Sequence, residues 1–363
     1  MKKLTPQFVT VALFAILLFS LFVYQLAKPD GELSQSERRP LKQKPEFSYE
    51  SVENGEYFED FEAYALDQAV FREAFRSLKA VSSRYLFLKG DNNGLYQYGD
   101  ALYKIETTNE ASFRKAGEKI EALAEKLSSL HCYYALIPDK NTLISTESRR
   151  PSHDFSLCES LLAEGITKAR YIELAPYLTV ADYYRTDLHW RQERLLPIAE
   201  LLLKAMDNSV LQYSFVETVL SGFYGVYHGQ AALPLDPDEM RYLVTSAFRD
   251  VTVESLASGE TIPLYNEEAF LSIDPYNLFL GGTEPLLRMK NPNATTDKTL
   301  YLFRDSFGSS LAPLLLAGYS EIVLIDLRYV DSRYLDYFIT FEEGSDVLFL
   351  YSTHILNNSE MLR

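Results

Sequence analysis

An uncharged apolar stretch near the N-terminus constrains this chain more than any other feature of its sequence. The stretch covers residues 8–27, and Thr10, Ser20 and Gln25 are its polar interruptions. A helix rises about 1.5 Å per residue, so about 20 such residues cross the roughly 30 Å hydrocarbon core of a bilayer. The pattern therefore predicts one transmembrane helix that anchors the chain through residues 8–27.

Lysines before the stretch predict its orientation. Lys2 and Lys3 favour a cytoplasmic N-terminus, because positive residues that flank a span stay on the cytoplasmic side. We therefore expect a cytoplasmic segment at 1–6, the anchor at 7–28 and an extracytoplasmic chain beyond it. A secretory signal peptide cleaved after Ala27 is the alternative, although the apolar region of such a peptide is usually shorter, about 7–15 residues.

The rest of the chain divides by composition into a tether and a folded domain. Residues 29–46 are polar, charged and proline-bearing, which is typical of a linker. The sequence as a whole has 47% hydrophobic and 24% charged residues, and this balance is typical of a folded protein. We expect one extracytoplasmic domain at 47–363.

Charge and cysteine usage exclude several classes of partner and site. The chain has 51 acidic and 35 basic residues and a net charge of −16, which disfavours binding to nucleic acid. No Cys and His residues have metal-ligand spacing, so the sequence predicts no metal site and no cofactor. Cys132 and Cys158 fit two buried thiols or, outside the cytoplasm, a disulfide, and both alternatives stay open.

Apolar residues spaced three and four apart predict several helices. One covers residues 110–130 with Asn109 as its N-cap, and another covers 191–206, where Pro197 must kink or split it. The aromatic residues between 58 and 75 indicate one or two more helices.

Short apolar runs predict buried strands between the helices. These runs cover residues 133–137, 299–303, 322–326 and 347–351. Such strands, separated by helices, are typical of a mainly parallel sheet that is covered on both faces. We therefore predict an α/β fold with a mainly parallel sheet flanked by helices.

A polar turn follows one of these strands. Arg304, Asp305 and Ser306 come directly after the run at 299–303, and a small-residue turn then leads into an apolar helix. Ligands of open α/β sheets bind beyond the carboxyl ends of the strands, and the start of a helix offers free N–H groups to an oxyanion. Ser306 is therefore a candidate nucleophile. The alternative is a serine that only caps the helix.

A second polar segment offers a general base. Asp187 and His189 are two residues apart, so in an extended segment their side chains face the same side. A carboxylate in that place would orient the imidazole and stabilise its protonated form. Of five histidines, His189 alone has an acidic residue two positions before it, and His228, in a glycine-rich loop, is a minor candidate. The alternative role for Asp187 is a helix N-cap.

Taken together, these segments resemble a known family. The chain resembles the DHHW family of bacterial envelope proteins, which are similar to the SGNH-type proteins of alginate O-acetylation. The resemblance covers nearly everything after about Tyr57. Its motifs are Asp-Leu-His-Trp at 187–190, Arg-Asp-Ser-Phe-Gly at 304–308, and the segments 67–72, 279–282 and 325–329.

The resemblance implies an SGNH-like α/β fold and the roles of three residues. Carried over by motif, Ser306 is the nucleophile, His189 the general base and Asp187 the residue that orients it. One departure is visible, because Leu188 stands where the family name indicates a second histidine. The Ser306–His189 pair survives this departure if the side chain at that position only packs or contacts substrate, whereas activity suffers if that side chain acts chemically.

Weaker candidates complete the expected site. No obvious counterparts to the oxyanion glycine and asparagine of SGNH hydrolases are present, so Gly281 and Gly282 are the best substitutes. Trp190 is a candidate substrate contact. Arg304 would assist an anionic substrate or pair with an acidic residue near the end of the sheet, and both alternatives stay open.

These expectations lead to one function and one rival. The first is a membrane-anchored extracytoplasmic enzyme, an O-acetyltransferase or acetylesterase, that acts on a cell-envelope polysaccharide and receives acetyl from a multi-pass membrane partner. The rival is a non-catalytic envelope protein that binds glycan or serves as a scaffold in polysaccharide assembly or export. A Ser306 Oγ within about 4 Å of a His189 nitrogen would favour the enzyme. A lipase or protease is less expected, because no Gly-Xaa-Ser-Xaa-Gly motif surrounds Ser306.

Overall fold

The computed structural model describes residues 5–208 and 213–363. The chain divides into two compact units, which we call the N-terminal unit and the sheet unit. The N-terminal unit comprises Met1–Asn92 and Gly229–Pro234. The sheet unit comprises Asn93–His228 and Leu235–Arg363.

The N-terminal unit begins with a long apolar helix, α1, at Pro6–Ala27. A proline in its first turn suits a helix start, because the missing N–H would have no partner there. None of its residues is buried in the protein, and its length and composition are sufficient to cross a membrane. The helix coincides with the predicted span at residues 8–27, and it fits a single-pass anchor.

Short elements follow α1 within the same unit. The segment predicted as a tether contains a small hairpin, in which Leu33 lies opposite Pro40. The elements are β1 (Leu33–Ser34), β2 (Arg39–Pro40), α2 (Tyr49–Glu53), α3 (Glu56–Asp67), α4 (Arg72–Val81) and a π-helical turn at Ser82–Leu86. The aromatic residues between 58 and 75 thus lie on two helices, α3 and α4, and on the turn between them.

An eight-stranded sheet forms the centre of the sheet unit, with the strand order β10-β9-β11-β13-β12-β14-β5-β6. Strands β13, β12, β14, β5 and β6 run parallel, and β11, β9 and β10 form an antiparallel edge. Its strands are β5 (His131–Ile137), β6 (Arg170–Tyr171), β9 (Thr252–Ser255), β10 (Thr261–Ile262), β11 (Leu286–Lys290), β12 (Thr299–Arg304), β13 (Glu321–Ile325) and β14 (Asp346–Ser352). Two separate hairpins pair β3 (Leu95–Tyr98) with β4 (Ala101–Lys104) and β7 (Val216–Phe223) with β8 (Asp238–Val244).

Helices complete the chain after the N-terminal elements. The α-helices are α5 (Glu110–Lys126), α6 (Lys140–Leu143), α7 (Ser145–Ser148), α8 (Phe155–Gly165), α9 (Leu196–Ala205), α10 (Val226–Ala231), α11 (Phe307–Leu315) and α12 (Thr353–Leu356). Short 3-10 helices lie at Ala175–Tyr177, Val180–Asp182, Gln192–Arg194, Ser246–Phe248, Glu267–Leu271, Pro275–Leu278, Ser332–Tyr337 and Ser359–Met361.

The sheet separates two hydrophobic cores, because side chains alternate across a strand. On strand β12, Leu300 and Leu302 enter one core together with side chains of α9 and α11. Tyr301 and Phe303 enter the opposite core, which α5 and α8 cover. The predicted α/β class is therefore confirmed: a mainly parallel sheet lies between helices, and one apolar helix precedes it.

Local predictions agree closely with these elements. The helix expected at 110–130 is α5, and the side chain of Asn109 accepts a hydrogen bond from the backbone N of Ser112 at 3.2 Å as its N-cap. Pro197 divides its segment, since a 3-10 helix at Gln192–Arg194 comes before it and α9 contains it in its first turn. The four predicted strands are found within two residues at either end.

Of the two alternatives for the cysteines, a disulfide or two buried thiols, the structure has the thiols. Cys132 and Cys158 are both free and buried. Burial raises the pKa of each thiol to about 11, so both stay protonated near neutral pH.

Burial in the central strands should dominate the stability of the sheet unit. Leu348 on β14 has no exposed surface, whereas Leu271 is 87% exposed. We expect Leu348→Ala to lower the free energy of unfolding by about 2–5 kcal/mol, because it leaves a cavity in a packed core. The matched Leu271→Ala variant should change it by less than about 0.5 kcal/mol. Urea unfolding of the full chain in detergent, followed by circular dichroism, measures both, and equal losses would contradict the assigned core.

Candidate active site

The serine segment lies where strand β12 meets helix α11. Asp305 bonds the start of this helix: its Oδ1 accepts from the backbone N of Phe307 at 2.9 Å, and its Oδ2 accepts from the Ser352 hydroxyl at 2.7 Å. Ser306 occupies the N-cap position, but its side chain makes no capping hydrogen bond. Because Asp305 does the capping, the Ser306 hydroxyl remains available to another partner.

That partner is His189. Its Nε2 lies 2.7 Å from Ser306 Oγ, and its Nδ1 lies 2.7 Å from Asp187 Oδ1. Asp187 has no exposed surface, and His189 is 7% exposed. With the ring proton on Nδ1, the imidazole donates to the carboxylate and accepts from the hydroxyl. This continuous chain can take a proton from Ser306 and hold it on a ring that a negative charge stabilises.

A tight loop, rather than an extended segment, brings Asp187 to His189. Tyr183 and Trp190 form an antiparallel bridge that closes the loop. Asp187 Oδ1 also accepts from the backbone N of His189 at 3.0 Å, so the two residues meet through a local turn. The predicted pairing is present, but alternation along a strand does not produce it. Leu188, the departure from the motif, is partly buried and packs against the core.

The second oxygen of Asp187 is fixed from a distant part of the chain. Asp187 Oδ2 accepts from the backbone N of Val226 at 2.8 Å. Gly225 makes this approach possible, because a Cβ at that position would lie 2.3 Å from the carbonyl O of Thr186 and 2.4 Å from the Cβ of Asp187. Only a residue without a side chain fits there.

A buried lysine supports the same loop from below. Lys140 is 1% exposed, and its Nζ donates to the carbonyl oxygens of Tyr184 at 2.8 Å, Arg185 at 3.1 Å and Asp187 at 2.6 Å. Burial lowers the pKa of Lys140 to about 8. Three converging carbonyls and a desolvated cation make Lys140 a positioning residue for Asp187. No local sequence signal marks it.

Aromatic rings fix the plane of the imidazole. Tyr276 stacks on His189 with ring centroids 3.8 Å apart and planes 8° apart. The Tyr276 hydroxyl donates to Ser310 Oγ on α11 at 2.9 Å, and the Trp190 indole N–H donates to the same oxygen at 3.0 Å. The segment that carries the imidazole and the helix that follows Ser306 are therefore connected through one hydroxyl.

Trp190 itself does not have the expected position. It has no exposed surface, and its indole N–H also donates to the carbonyl O of Phe307 at 3.0 Å. It is not among the residues that line the pocket beside Ser306. The expectation of a substrate contact is not supported by this placement, because the whole indole is buried between the loop and the serine helix.

A pocket of about 190 Å³ lies over Ser306 and His189. A cavity of this size has room for a small acyl group. Its lining residues are His189, Asp274, Tyr276, Asn277, Phe279, Gly282, Thr283, Arg304, Ser306, Ser309, Arg328 and Tyr329. Among the described residues, no group of three or more His, Cys, Asp or Glu side chains is placed to hold a metal ion.

The oxyanion donors expected at the helix start are already used. The backbone N of Gly308 donates to the carbonyl O of Asp305 at 3.1 Å, and that of Ser309 donates to the carbonyl O of Ser306 at 3.1 Å. Of the two expected glycines, Gly282 lines the pocket and Gly281 does not.

Asn277 is a pocket residue that the sequence reasoning missed. Gly282 has a positive φ of 96°, and a Cβ there would lie 2.3 Å from the side-chain oxygen of Asn277. The glycine thus makes room for the carboxamide at the rim of the pocket. The asparagine precedes the glycine by only five residues, and that pairing is the signal that could have identified it.

Arg304 forms the polar floor of the pocket. It is 1% exposed, its Nη1 lies 3.5 Å from Asp326 Oδ2, and Arg328 donates to the same oxygen at 2.6 Å. Within residues 5–208 and 213–363, Nε and Nη2 of Arg304 have no hydrogen-bond partner. Burial lowers the pKa of this guanidinium. Both alternatives for Arg304 stay open, because it contacts the acidic residue Asp326 and also lines the pocket.

The fold has clear counterparts among solved structures. A DHHW family protein from Eubacterium siraeum is 17% identical, with a TM-score of 0.57 over 75% of this chain and 95% of its own. Bacillus cereus PatB1 is also 17% identical, with a TM-score of 0.58 over 72% of this chain and 96% of its own. This chain is similar in fold to a DHHW family protein. PatB1 has also been solved with a sulfonyl adduct.

A weaker likeness extends to one further protein. The O-acetyltransferase domain of Pseudomonas putida AlgJ is 12% identical, with a TM-score of 0.43 over 73% of this chain and 92% of its own. This score is too low to support an argument about function. No protein-family model matches the chain, and no curated protein is similar to it in sequence.

Removal of the Lys140 ammonium should disturb the hydrogen-bonded chain from Asp187 to Ser306. Lys140→Met removes the lysine donor from the buried carbonyl oxygens of Tyr184 and Asp187, each at a cost of about 1–3 kcal/mol, and loosens the Asp187 loop. The Arg185 carbonyl keeps the backbone N of Leu102 as a donor. We expect the rate at which a sulfonyl fluoride labels Ser306 to fall at least about tenfold, measured by mass spectrometry of the labelled peptide.

Lys119 provides the matched control. Its Nζ donates to the carbonyl O of Ser359 at 2.9 Å and to that of Leu362, near the C-terminus. Lys119→Met should therefore lower the melting temperature and leave the labelling rate within about twofold. Equal losses of labelling in the two variants would contradict a positioning role for Lys140.

Proposed function

We propose that this protein is an acyl-ester enzyme, an O-acetyltransferase or acetylesterase, in which Ser306 is the nucleophile, His189 the general base and Asp187 its orienting residue. The observation that carries the proposal is the 2.7 Å contact between Ser306 Oγ and His189 Nε2. A hydroxyl is a weak nucleophile until a base accepts its proton, and this contact supplies the base.

The chemistry follows from the hydrogen-bonded chain. Ser306 Oγ bonds to the acetyl carbonyl carbon while its proton passes to His189 Nε2. The bond from that carbon to the leaving alcohol then breaks, and the alcohol takes the proton from His189. A sugar hydroxyl or water next attacks the acetyl-serine and gives its proton to His189, which returns it to Ser306.

Three pocket residues are suited to bind the oxyanion and the substrate. We assign the side-chain amide of Asn277 and the backbone at Gly282 to the oxyanion that forms during attack, since both lie at the rim beside Ser306. Arg304 and Arg328 bring guanidinium donors to the same pocket. These donors favour a substrate with a negatively charged substituent near its acetyl group.

The proposed setting is the outer side of a cell membrane. Helix α1 would anchor the chain as a single span, and Lys2 and Lys3 would keep its N-terminus in the cytoplasm. The substrate would then be a cell-envelope polysaccharide, and its acetyl would arrive from a multi-pass membrane protein. The fold shared with a DHHW family protein and with PatB1 is compatible with this setting.

Loss of the serine hydroxyl should abolish turnover. We expect Ser306→Ala and His189→Ala each to lower kcat for p-nitrophenyl acetate at least about 10³-fold, because each removes one end of the proton-transfer contact. Ser160→Ala is the control, since that exposed hydroxyl bonds only a neighbouring backbone carbonyl in its own helix. Activity of the Ser306→Ala protein within a few-fold of the unaltered chain would remove the catalytic assignment.

The two pocket arginines should select charged esters. Arg328→Gln removes the ion pair between Arg328 and Asp326, so Asp326 can pair more closely with Arg304. Fewer guanidinium donors then face the substrate. We expect the ratio of kcat/KM for a carboxylate-bearing acetyl ester to that for p-nitrophenyl acetate to fall about tenfold, as loss of a charge-assisted hydrogen bond implies. Arg333→Gln is the matched control, since Arg333 pairs with Asp331 on the exposed surface. An unchanged ratio in Arg328→Gln would contradict the anionic preference.

A further inference from the structure

The residues that follow the turn between α3 and α4 present an outward apolar surface. We call residues 71–89 the basic amphipathic segment; it contains α4 and the π-helical turn. Phe71, Phe75 and Leu78 recur at helical spacing and are 61%, 60% and 61% exposed. Four consecutive exposed residues extend the surface: Tyr85, Leu86, Phe87 and Leu88. A soluble surface rarely exposes so many large apolar side chains side by side.

The charge of this segment is opposite to that of the chain. Residues 71–89 contain five Lys and Arg residues and one Glu, in a protein whose net charge is −16. Arg72 and Arg76 pair with Glu37, whereas Lys79 and Lys89 are exposed. Basic residues interleaved with Phe and Leu on one short helix are typical of segments that lie in the interface of an anionic membrane.

Ion pairs hold the polar face of α4 inward. Arg76 Nη2 lies 3.1 Å from Glu37 Oε1 and also donates to the carbonyl O of Gly229 at 2.7 Å. Arg72 pairs with the same glutamate. These contacts are all within the N-terminal unit, and they fix the rotation of α4. The apolar stripe formed by Phe71, Phe75 and Leu78 therefore faces away from the rest of the N-terminal unit.

Hydrogen bonds tie the start of the segment to the end of the membrane helix. Gln25, in the last turn of α1, donates from Nε2 to the carbonyl O of Gln68 at 2.9 Å and accepts from the backbone N of Val70 at 2.8 Å. Gln68 has no exposed surface. The segment thus begins at the level where α1 reaches the polar boundary of a bilayer.

We propose that the basic amphipathic segment binds the surface of the membrane that α1 spans, with its apolar stripe in the headgroup boundary and its lysines near anionic phospholipids. Two observations select lipid as the occupant. The tie to Gln25 places the stripe at that boundary, and the exposed side chains of Lys79 and Lys89 complement anionic headgroups. The inference rests on α1 as a membrane span. It does not depend on the catalytic assignment of Ser306.

A fluorescent label at the centre of the stripe tests this proposal. Leu78→Cys in the full chain would carry an NBD group, and the buried native thiols Cys132 and Cys158 should react little. Lys115→Cys, at an exposed position on α5, is the control. Both proteins are reconstituted into phosphatidylcholine vesicles with and without 30% phosphatidylglycerol, and quenching by doxyl-labelled lipid and by aqueous iodide is measured.

We expect doxyl lipid to quench the label at position 78 at least about threefold more strongly than the label at position 115. Iodide should quench the label at position 78 only weakly. Doxyl quenching at position 78 should fall when phosphatidylglycerol is omitted. Strong iodide quenching at 78, equal to that at 115, overturns the proposal and leaves the stripe to a protein partner. Doxyl quenching that is independent of phosphatidylglycerol overturns the assignment to anionic lipid. Neither result bears on esterase activity, so this test and that of Ser306→Ala fail separately.

Discussion

The site depends on the carboxylate of Asp305 bonding the start of helix α11 in place of the neighbouring serine. Phe307 N–H and the Ser352 hydroxyl both donate to this carboxylate, which ties the end of β12 to the adjacent strand β14. The Ser306 side chain consequently makes no bond to its own helix. A serine that capped the helix would turn its Oγ toward the backbone N–H groups of the first turn, and so away from His189 Nε2. Whether the Ser306 hydroxyl meets its own helix or His189 therefore depends on which residue caps α11.

The buried charge of Asp187 explains which residues surround the contact between Ser306 and His189. Asp187 has no exposed surface, and an isolated buried carboxylate is costly unless hydrogen bonds satisfy it. His189 and the backbone N of Val226 satisfy its two oxygens, and Lys140 places a positive charge behind the same loop. The Asp187 segment is thus held by His189 and by residues from two distant parts of the chain. These contacts fix the position of the imidazole.

Much of this arrangement could be predicted from local patterns. The strands around β12 are uniformly apolar, and α5 has a regular periodicity and an asparagine cap, so their positions are confirmed. The segments that carry Ser306 and His189 were also identifiable, because Ser306 lies in a polar turn after an apolar strand and His189 follows an acidic residue by two positions. The reason given for the Asp187–His189 contact was wrong, since a turn rather than strand alternation brings the two together.

Other parts of the site have no local signal. Lys140, Gly225 and Tyr276 act through contacts with residues far away in sequence, and nothing in their immediate surroundings distinguishes them from ordinary core or loop residues. Trp190 is a different case, because its place beside His189 in the motif suggested a substrate contact, whereas the structure buries its side chain. Pairwise chemistry between remote segments becomes visible only when the fold is known.

The most direct test of the catalytic account is to trap the covalent intermediate. The full chain is mixed with an activated acetyl ester, quenched in acid and digested, and the acetylated peptide is located by tandem mass spectrometry. The account predicts one acetyl group on the side chain of Ser306, with little or none on that residue in His189→Ala. Acetyl spread over lysines alone, or equal labelling of Ser306 in both proteins, would show that the imidazole does not activate this hydroxyl.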